Sequence, residues 1–580
     1  MKKGKFGLRI GSLFVALLFA VSCGSPPQPG ALTTGTRGGT LNYRLSSPPS
    51  SFNYVMAADE STMVASFVLL AGKLAEFDHK QQKYVPGIAE SWKLADDGRT
   101  VNVKLRSGVK FSDGKDLTAD DVVFSFRAIY DEKTNSPAWK DAMLINKKPI
   151  QAKAVNAQNV DLVFPEKVAA IENYMGNLGV LPSHILKSDF DAGTFANAWK
   201  LDADATKIVT SGPFTVESVA AGERIVLKRN PNYWKKDAKG ESLPYLDKIS
   251  LEIVPDANNA VARLSQNTLD IIDRIRPADY ATLSGQAGGA VKATDVGPAL
   301  GTDHLWFNLN TAKANGEKLE SGAKYKWFSD ARFRRAISTA VDRNTIATTT
   351  LRGLASPLSG FVSPGNRAWA KTDLPKIEYS REHAAQLLSE AGFVKKGTAE
   401  APELFDAAGH RVAFTLVVPA ENEPRKLTAA VIQEDLAKLG IKMEVAPVEF
   451  QNVNERWSKS LDYDAILLGL SLTDVEPSSF ANFLRSDAAA HQWCPEQKTP
   501  ATEWEAKIDK LFTEQAGETD PAKRKALFNE IQQVMADELP VIPIVARHII
   551  SATNARVGNH APSSIFPYSL ANADELFVKQ

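Results

Sequence analysis

Cysteine and histidine are scarce in this sequence, with two Cys and eight His among 580 residues. The His residues are scattered, and neither a His-Glu-x-x-His motif nor a pair of Cys-x-x-Cys motifs occurs. Zinc sites commonly use these spacings, so no metal and no cofactor is predicted. With so few thiols, a large packed core rather than a disulfide framework must stabilise the chain.

An excess of one charge is also missing, because Lys plus Arg and Asp plus Glu both number 68. Sequence-independent binding to nucleic acid generally needs a basic field, so no nucleic-acid partner is predicted. No apolar run approaches the roughly 20 residues of a membrane-spanning helix. The overall balance, 44% hydrophobic and 23% charged residues, is that of a globular protein, and the length allows two or three domains.

Motifs for catalysis are absent as well. The sequence has no GxxxxGK[ST] phosphate loop, so hydrolysis of ATP by this chain is not expected. It has no GxSxG nucleophile elbow. Ser211 lies in a Thr-Ser-Gly-Pro turn, and Cys494 is interpreted as a passive residue. Asp and Glu are plentiful; their spacing alone does not exclude a catalytic carboxylate pair, but no feature of the sequence indicates one. These absences favour binding over catalysis.

The start of the chain has the pattern of an export signal. Four basic residues occur within the first nine, an apolar run of 12 residues covers Ile10–Val21, and small residues precede Cys23. The run is too short to span a membrane. Small residues before a Cys resemble the bacterial lipoprotein box, in which cleavage leaves the Cys at the new N-terminus, carrying lipid. We predict a signal peptide over residues 1–22 and lipidation of Cys23, with a plain cleaved signal as the alternative.

Cleavage before Cys23 would remove four basic and no acidic residues, which leaves 64 against 68 and a net charge of −4. Residues 24–38 (GSPPQPGALTTGTRG) are dominated by Pro, Gly, Thr and Ser. Such a segment cannot bury a core. Residues 23–38 are therefore predicted to form a flexible tether, which the acyl chains on Cys23 anchor to a membrane on its extracytoplasmic side.

Beyond the tether the sequence predicts strands and helices in mixed order. Residues 40–45 and 100–105 alternate polar and apolar side chains, which is typical of half-buried strands. Helices are predicted where capping residues precede apolar residues at helical spacing. These helix starts follow Thr118, Asp330, Ser380 and Asp520.

Two later segments give more specific predictions. Leu427–Leu439 has a helical apolar period, Gly440 ends it, and Ile441 opens an alternating strand, which is an α/β step. Leu539–Ile544 is apolar but contains two prolines. Because proline cannot donate to a ladder, this segment is predicted to be a short strand at a sheet edge.

A series of motifs resembles one known family. The series comprises PGIAESW at 86–92, RSGVKFSDG at 106–114, LTADDV at 117–122, SGPF at 211–214 and NPNYW at 230–234. In order and spacing these motifs resemble the solute-binding protein family 5, which includes the oligopeptide-, dipeptide- and nickel-binding proteins of bacterial ABC importers. The resemblance extends over nearly the whole chain after the tether.

The resemblance implies an α/β fold of the periplasmic-binding-protein type, with two lobes, a hinge and an extra inserted domain. A solute is expected to close between the lobes. The expected domain boundaries are these: domain I at 39–68, 206–298 and 546–580, inserted domain II at 69–205, and domain III, the second ligand-binding lobe, at 299–545.

The function implied is that of the substrate-binding component of an ABC transporter, which captures extracytoplasmic peptides. Its partners would be a membrane permease and its ATPase subunits, and the chain itself is expected to be monomeric. A nickel chelate, an oligosaccharide or an opine-like solute remains an alternative ligand on the same fold. From other classes, a lipid-anchored surface hydrolase and a chemoreceptor ligand carrier also remain open.

The resemblance also indicates a ligand site. In peptide-binding members, an Asp on the second lobe meets the α-amino group of the ligand just before an acidic residue and a Pro. Asp474 is the candidate here, with Ser471 in the same loop. Asp474 stands two residues before Glu476, whereas the family Asp usually stands three before. The alternative is that Asp474 caps the following helix.

Two further features of the site depend on the same resemblance. Oligopeptide binders of the family carry an Arg on the preceding strand, and residues 463–468 contain none. Capture of a peptide carboxylate is therefore not implied. Phe450 and Trp139 fall near positions where the family places aromatic pocket walls. For each of them, a place in the core is the alternative.

Overall fold

A computed structural model describes residues 33–579, apart from residues 137, 285–288, 471 and 496. The predicted signal peptide, Cys23, most of the tether and Ser471 lie outside the described residues. At the end of the tether, Gly38 already donates its backbone N–H to the carbonyl of Tyr245 at 2.9 Å. Over the described part of the chain, none of the helices combines the length and the hydropathy that crossing a membrane requires.

Strands occur throughout the described chain. They are β1 Thr40–Leu45, β2 Ala75–Asp78, β3 Lys83–Pro86, β4 Ala89–Leu94, β5 Thr100–Leu105, β6 Gln151–Asn156, β7 Asn159–Val163, β8 Phe214–Ala220, β9 Arg224–Arg229, β10 Lys248–Ile253, β11 Ile271–Asp273, β12 Val291–Pro298, β13 Thr302–Phe307, β14 Ala355–Pro357, β15 Val394–Gly397, β16 Pro402–Phe405, β17 Ala413–Pro419, β18 Lys442–Val448, β19 Ala465–Leu470, β20 Val541–Asn554, β21 Val557–Gly558 and β22 Phe577–Val578.

Helices alternate with these strands. They are α1 Glu60–Thr62, α2 Ala119–Tyr130, α3 Trp139–Met143, α4 Ile171–Gly176, α5 Ser183–Ala192, α6 Ala257–Ser265, α7 Pro277–Ser284, α8 Ala323–Ser329, α9 Ala331–Ala340, α10 Arg343–Thr345, α11 Arg381–Glu390, α12 Glu423–Ala437, α13 Phe450–Glu455, α14 Ala481–Leu484, α15 Glu503–Gly517 and α16 Pro521–Glu538. Short 3₁₀ or π turns lie at Tyr54–Met56, Met63–Val68, Phe195–Asn197, Ala205–Lys207, Ile346–Thr350, Arg456–Ser460, Pro477–Phe480 and Tyr568–Asn572.

One twelve-stranded sheet dominates the fold. Its strand order is β18-β17-β19-β13-β20-β11-β1-β10-β9-β8, with β12 and β14 also paired to β20. The β17–β18, β17–β19, β1–β10 and β1–β11 pairs are parallel and the other pairs are antiparallel. Helices α9, α11 and α12 cover the β13–β19 part, where Phe307, Phe328, Phe333 and Phe414 form a cluster of rings. The predicted mixed α/β character is confirmed.

Strand β20 contradicts the prediction of a short edge strand over Leu539–Ile544. It has 14 residues and lies inside the large sheet, between β13 and β11. Pro543 pairs with His304 beside a register shift, and its carbonyl accepts a hydrogen bond from Arg343 Nε at 2.7 Å. An irregularity of this kind does not need a backbone donor at the proline, so the proline is tolerated within the sheet.

A separate four-stranded sheet, in the order β4-β5-β7-β6, is formed by the part of the chain predicted to be inserted. Helix α2 packs on it. Thr118 and Asp121 form the predicted capping box at the start of α2, and the carboxylate of Asp121 accepts the backbone N–H of Thr118 at 2.9 Å. Val101, Val103 and Leu105 of β5 are buried on one face, as the alternation predicts.

The other predicted elements are found with small shifts. Strands β1 and β5 have the predicted bounds, and Asp330, Ser380 and Asp520 are the N-caps of α9, α11 and α16. Helix α12 begins at Glu423, before the predicted Leu427, because Asn422 caps it and Pro424 occupies its first turn. The earlier start adds Arg425 to the helix, and this residue proves important for the site.

Candidate ligand-binding cleft

A cleft of about 1860 Å³ is lined by residues from all three predicted domains. Ordinary small-molecule pockets enclose about 300–1,000 Å³. One wall includes residues between 138 and 177 of the inserted segment, and the opposite wall includes residues 469–470 and residues between 472 and 489. The floor includes the middle of β20 and the start of β13. The cleft is therefore large enough for a ligand longer than a single amino acid.

Hydrogen bonds bridge the two sides of the cleft. The side-chain amide of Gln82 donates to the carbonyl of Gly365 at 2.8 Å and accepts the backbone N–H of Ala368 at 3.1 Å. Ala169 donates its N–H to the carbonyl of Ala516 at 2.8 Å. These contacts join the inserted segment to the second lobe, so the structure has the bridged form of the cleft.

Asp474 lines this cleft and is half-buried. One oxygen accepts the N–H of Glu476 at 2.8 Å and the hydroxyl of Ser479 at 2.8 Å. Burial raises the pKa of Asp474, although these two hydrogen bonds oppose the shift. Glu476, and not Asp474, is the N-cap of the turn at Pro477–Phe480. The alternative that Asp474 caps the following helix is therefore wrong. Asp474 instead stabilises the turn before that helix by accepting these two hydrogen bonds.

The surroundings of Asp474 supply no cation from the described residues. Arg524 forms an ion pair with the neighbouring Glu476. Tyr174 belongs to the opposite wall, and burial together with the charges of Glu476, Glu166 and Asp474 raises its pKa to about 12. Asp474 is thus a desolvated carboxylate whose charge is unbalanced in the cleft, a combination that often marks a binding site.

A second charged group lies at the floor of the cleft. Asp303 on β13 accepts from Arg425 Nε at 2.8 Å and lies 3.2 Å from Arg547 Nε on β20. Although burial raises the pKa of Asp303, Arg547 and Arg425 hold it below its usual range. One carboxylate shared by two guanidinium groups leaves an excess positive charge. A β-carbon at Gly469 would lie 2.0 Å from Arg425 Nη2, so this position must stay open for the network.

The sequence did not reveal these two arginines. The strand before the Asp474 loop has no Arg, but Arg425 reaches the cleft from the first turn of α12 and Arg547 reaches it from the middle of β20. The sequence pattern began the helix at Leu427 and ended the strand at Ile544, so both arginines lay outside the predicted elements. A prediction that extended the strand beyond Ile544 would have included Arg547.

A third cluster surrounds Lys73, which is half-buried at the cleft. Its Nζ lies 4.6 Å from the ring centroid of Phe67. The nearby carboxylates of Glu76 and Asp574 are engaged by Lys235 at 3.1 and 3.0 Å. Burial lowers the pKa of Lys73. No described residue forms an ion pair with it.

The two aromatic candidates have different places. Trp139 is 7% exposed and lines the cleft while packing on Phe67 and Tyr54, at ring distances of 4.8 and 5.3 Å. It therefore belongs both to the core and to the wall. Phe450 is 43% exposed and is absent from the cleft lining. Neither alternative for Phe450 is correct, because it begins helix α13 at the surface, where its N–H bonds to Glu421.

Side chains of potential nucleophiles have structural roles. Ser211 donates to the carbonyl of Val180 at 3.0 Å and accepts the N–H of Gly72 at 3.0 Å. Burial raises the pKa of the Cys494 thiol to about 12, so it stays protonated at neutral pH. In the described part of the chain, no cluster of three or more His, Cys, Asp or Glu is arranged to hold a metal ion.

A large bridged cleft lined by unbalanced charges is the kind of site that holds a solute. Comparison with known proteins agrees. Residues 83–492 match the family model described as bacterial extracellular solute-binding proteins, family 5 middle. The chain belongs to this family, which confirms the resemblance of its motifs.

Three relatives illustrate the similarity. A probable ABC transporter-binding protein of Deinococcus radiodurans is 30% identical over 550 residues, 91% of this chain and 90% of the relative. The oligopeptide-binding protein AppA of Bacillus subtilis is 28% identical over 527 residues, 90% of this chain and 86% of that protein. The structure of AppA with a nonapeptide matches with a TM-score of 0.65 at 25% identity, covering 94% and 100% of the two chains. The predicted two-lobed fold is confirmed.

Proposed function

We propose that this protein is the substrate-binding component of a bacterial ABC importer, and that it captures extracytoplasmic peptides through their free amino group. The observation that carries the proposal is Asp474, a half-buried carboxylate in the cleft lining without a cationic partner among the described residues. A ligand ammonium would supply the missing charge and the missing hydrogen bonds. The peptide seen with the related AppA supports the same ligand class.

Closure of the cleft around the ligand would be the change that the membrane partners recognise. The cleft walls already meet at Gln82 and at Ala169, and a ligand that contacts both walls would favour this bridged form. The permease would then receive the peptide, and its ATPase subunits would supply the energy. The chain itself is proposed to have no ATPase or peptidase activity, because its candidate nucleophiles Ser211 and Cys494 are engaged structurally or protonated.

Domain organisation and location complete the proposal. Domain I would comprise 39–68, 206–298 and 546–580, with domain II at 69–205 and domain III at 299–545. In support, the strands of the four-stranded sheet fall within 69–205, and β13, β14 and β17–β19 fall within 299–545. Residues 1–22 would direct export, and lipid on Cys23 would anchor the protein to the membrane as a monomer.

Native mass spectrometry of the purified protein tests the ligand class, because tightly held ligands often survive purification. The expected adducts have masses of short peptides, which tandem fragmentation would sequence. Adducts that yield a metal chelate or a sugar would replace the peptide assignment with one of those ligands. For the enzyme question, incubation of the pure chain with ATP or with peptides should give no turnover.

A further inference from the structure

We propose that Lys73 binds a carboxylate of the ligand, and that it thereby selects acidic ligands or those with a free acidic end. This inference rests on the proposed function, since it assigns a second contact within the same cleft. The carboxylate could come from an acidic side chain or from the C-terminus of the peptide. Both sources have the same chemistry, and the experiment separates them.

The first argument is the charge balance around Lys73. The charges of Glu76 and Asp574 act on its ammonium group, and Lys235 lies within 3.1 Å of both carboxylates. Lys73 and Lys235 are therefore close to the same two carboxylates, but both carboxylates form their ion pairs with Lys235. His79, which also lies near, has its pKa lowered to about 4, first by burial and then by Lys73, so it is neutral at pH 7.

The second argument is the position of the ammonium group. Lys73 lies on the face of Phe67, whose ring packs on Trp139 in the cleft wall. An aromatic face stabilises a cation without consuming its hydrogen-bond donors. The ammonium therefore keeps donors for a ligand, in a partly desolvated place where a charge-assisted hydrogen bond is stronger than in water.

The third argument is that the backbone at this point is fixed. Lys73 accepts the N–H of Ile88 at 2.8 Å, and the adjacent Gly72 receives the N–H of Val180 at 2.9 Å. Gly72 also bonds to Ser211. Lys73 is thus held where the chain enters the inserted segment. A side chain on such a rigid support contributes more to selectivity than one on a loop.

Alanine tripeptides with Glu or Gln at each position, with free or amidated C-termini, are suitable probes for calorimetric titration. If a side chain supplies the carboxylate, Glu should bind about tenfold more tightly than Gln at one position. If the C-terminus supplies it, the free acid should exceed the amide by a similar factor. Lys73→Met should abolish whichever preference exists, whereas Lys73→Arg should keep most of it. Lys93→Met, on an exposed strand position, is the control and should change nothing.

Equal affinities for acid and amide forms, or a preference that survives in Lys73→Met, would overturn the inference. Failure of every tripeptide to bind the wild-type chain contradicts the proposed function instead. The carboxylate site is then tested with succinate against succinamide by thermal shift. Succinate should stabilise the wild-type chain and not Lys73→Met, and equal shifts in both proteins would reject the role of Lys73.

Discussion

Gln82 donates its side-chain amide across the cleft to the carbonyl of Gly365 at 2.8 Å. The same side chain accepts the N–H of Ala368. Gln82 is buried, and its backbone is held at a positive φ of 52°, a conformation that costs energy for a residue other than glycine. One side chain thus makes two contacts that exist only while the walls are bridged.

Replacing Gln82 by Ala should therefore weaken ligand binding. Two lost hydrogen bonds of about 1 kcal/mol each would lower the population of the bridged form and reduce affinity by about tenfold or more. Calorimetric titration measures the affinity, and small-angle scattering should report a more open ligand-free chain. Gln81→Ala is the matched control, since the exposed Gln81 bonds to Asp78 on its own side of the cleft. Equal affinity in both variants would exclude a role of Gln82 in closure.

Asp474→Asn should weaken ligand binding without destabilising the folded protein. Loss of the carboxylate should reduce affinity for a peptide with a free amino group by about 30-fold or more, because the ligand ammonium would lose its counter-charge. The Asn can still accept the bonds from Glu476 and Ser479, so the turn should remain intact. Asp141→Asn, at an exposed carboxylate of the same cleft, is the control.

The pH dependence of stability gives a second measurement for Asp474. Its folded pKa is raised, whereas an unfolded Asp has a pKa of about 3.9. As pH rises through this interval, the unfolded chain loses its proton first, so the ligand-free wild-type protein should lose stability relative to Asp474→Asn. Below pH 3.9 the two melting temperatures should converge. A large loss of melting temperature in Asp474→Asn with unchanged affinity would assign the residue a structural role alone.

How much of this site could be predicted from the sequence depends on how far apart in the chain the interacting residues lie. Asp474 could be proposed because a continuous stretch of sequence carries its loop; it lines the cleft, and its contact with a ligand stays a prediction. Asp303, Arg425 and Arg547 come from three distant segments, and no local pattern brings them together. The length of β20 was missed because a proline normally ends a strand, and only the irregular pairing with β13 makes Pro543 acceptable. Most predicted helix starts were found because capping is a local interaction.

Blocking the amino group of a bound peptide should reduce affinity more than amidating its carboxylate. The carboxylate of Asp474 has no cationic partner among the described residues, so an N-acetyl group on the ligand leaves it without a counter-charge in the cleft. Amidation removes at most the proposed contact with Lys73, for which we expect about a tenfold effect. Titration with a peptide, its N-acetyl form and its C-terminal amide measures both effects. The opposite order would show that a cationic group of the cleft, and not Asp474, provides the main anchor.

Asp303→Asn should destabilise the protein strongly. The substitution leaves Arg425, whose side chain is 13% exposed, without its counter-charge and weakens the restraint on Arg547. Removing one partner of a buried ion pair lowers the free energy of unfolding by about 3–5 kcal/mol. Because the folded pKa of Asp303 is lowered, the wild-type advantage should be present above pH 3.9 and fade as pH falls through the folded pKa. Denaturant melts at several pH values test this, with the exposed Asp373→Asn as a control that should cost little. A small, pH-independent difference would contradict the account.

Cys23→Ala should release the protein from membranes. The prediction depends on the basic start, the short apolar run and the small residues before Cys23. A lipid-modified N-terminus retains a protein through several buried acyl chains, and a single substitution at the attachment point removes them together. Fractionation of cells expressing each form should find the wild-type protein in the membrane pellet and the variant in the soluble extracytoplasmic fraction. Cys494→Ala is the matched control, because its thiol is partly buried in the folded body and should not affect location. If the Cys23 variant sediments with membranes as fully as the wild type, lipid on Cys23 is not what holds the protein there.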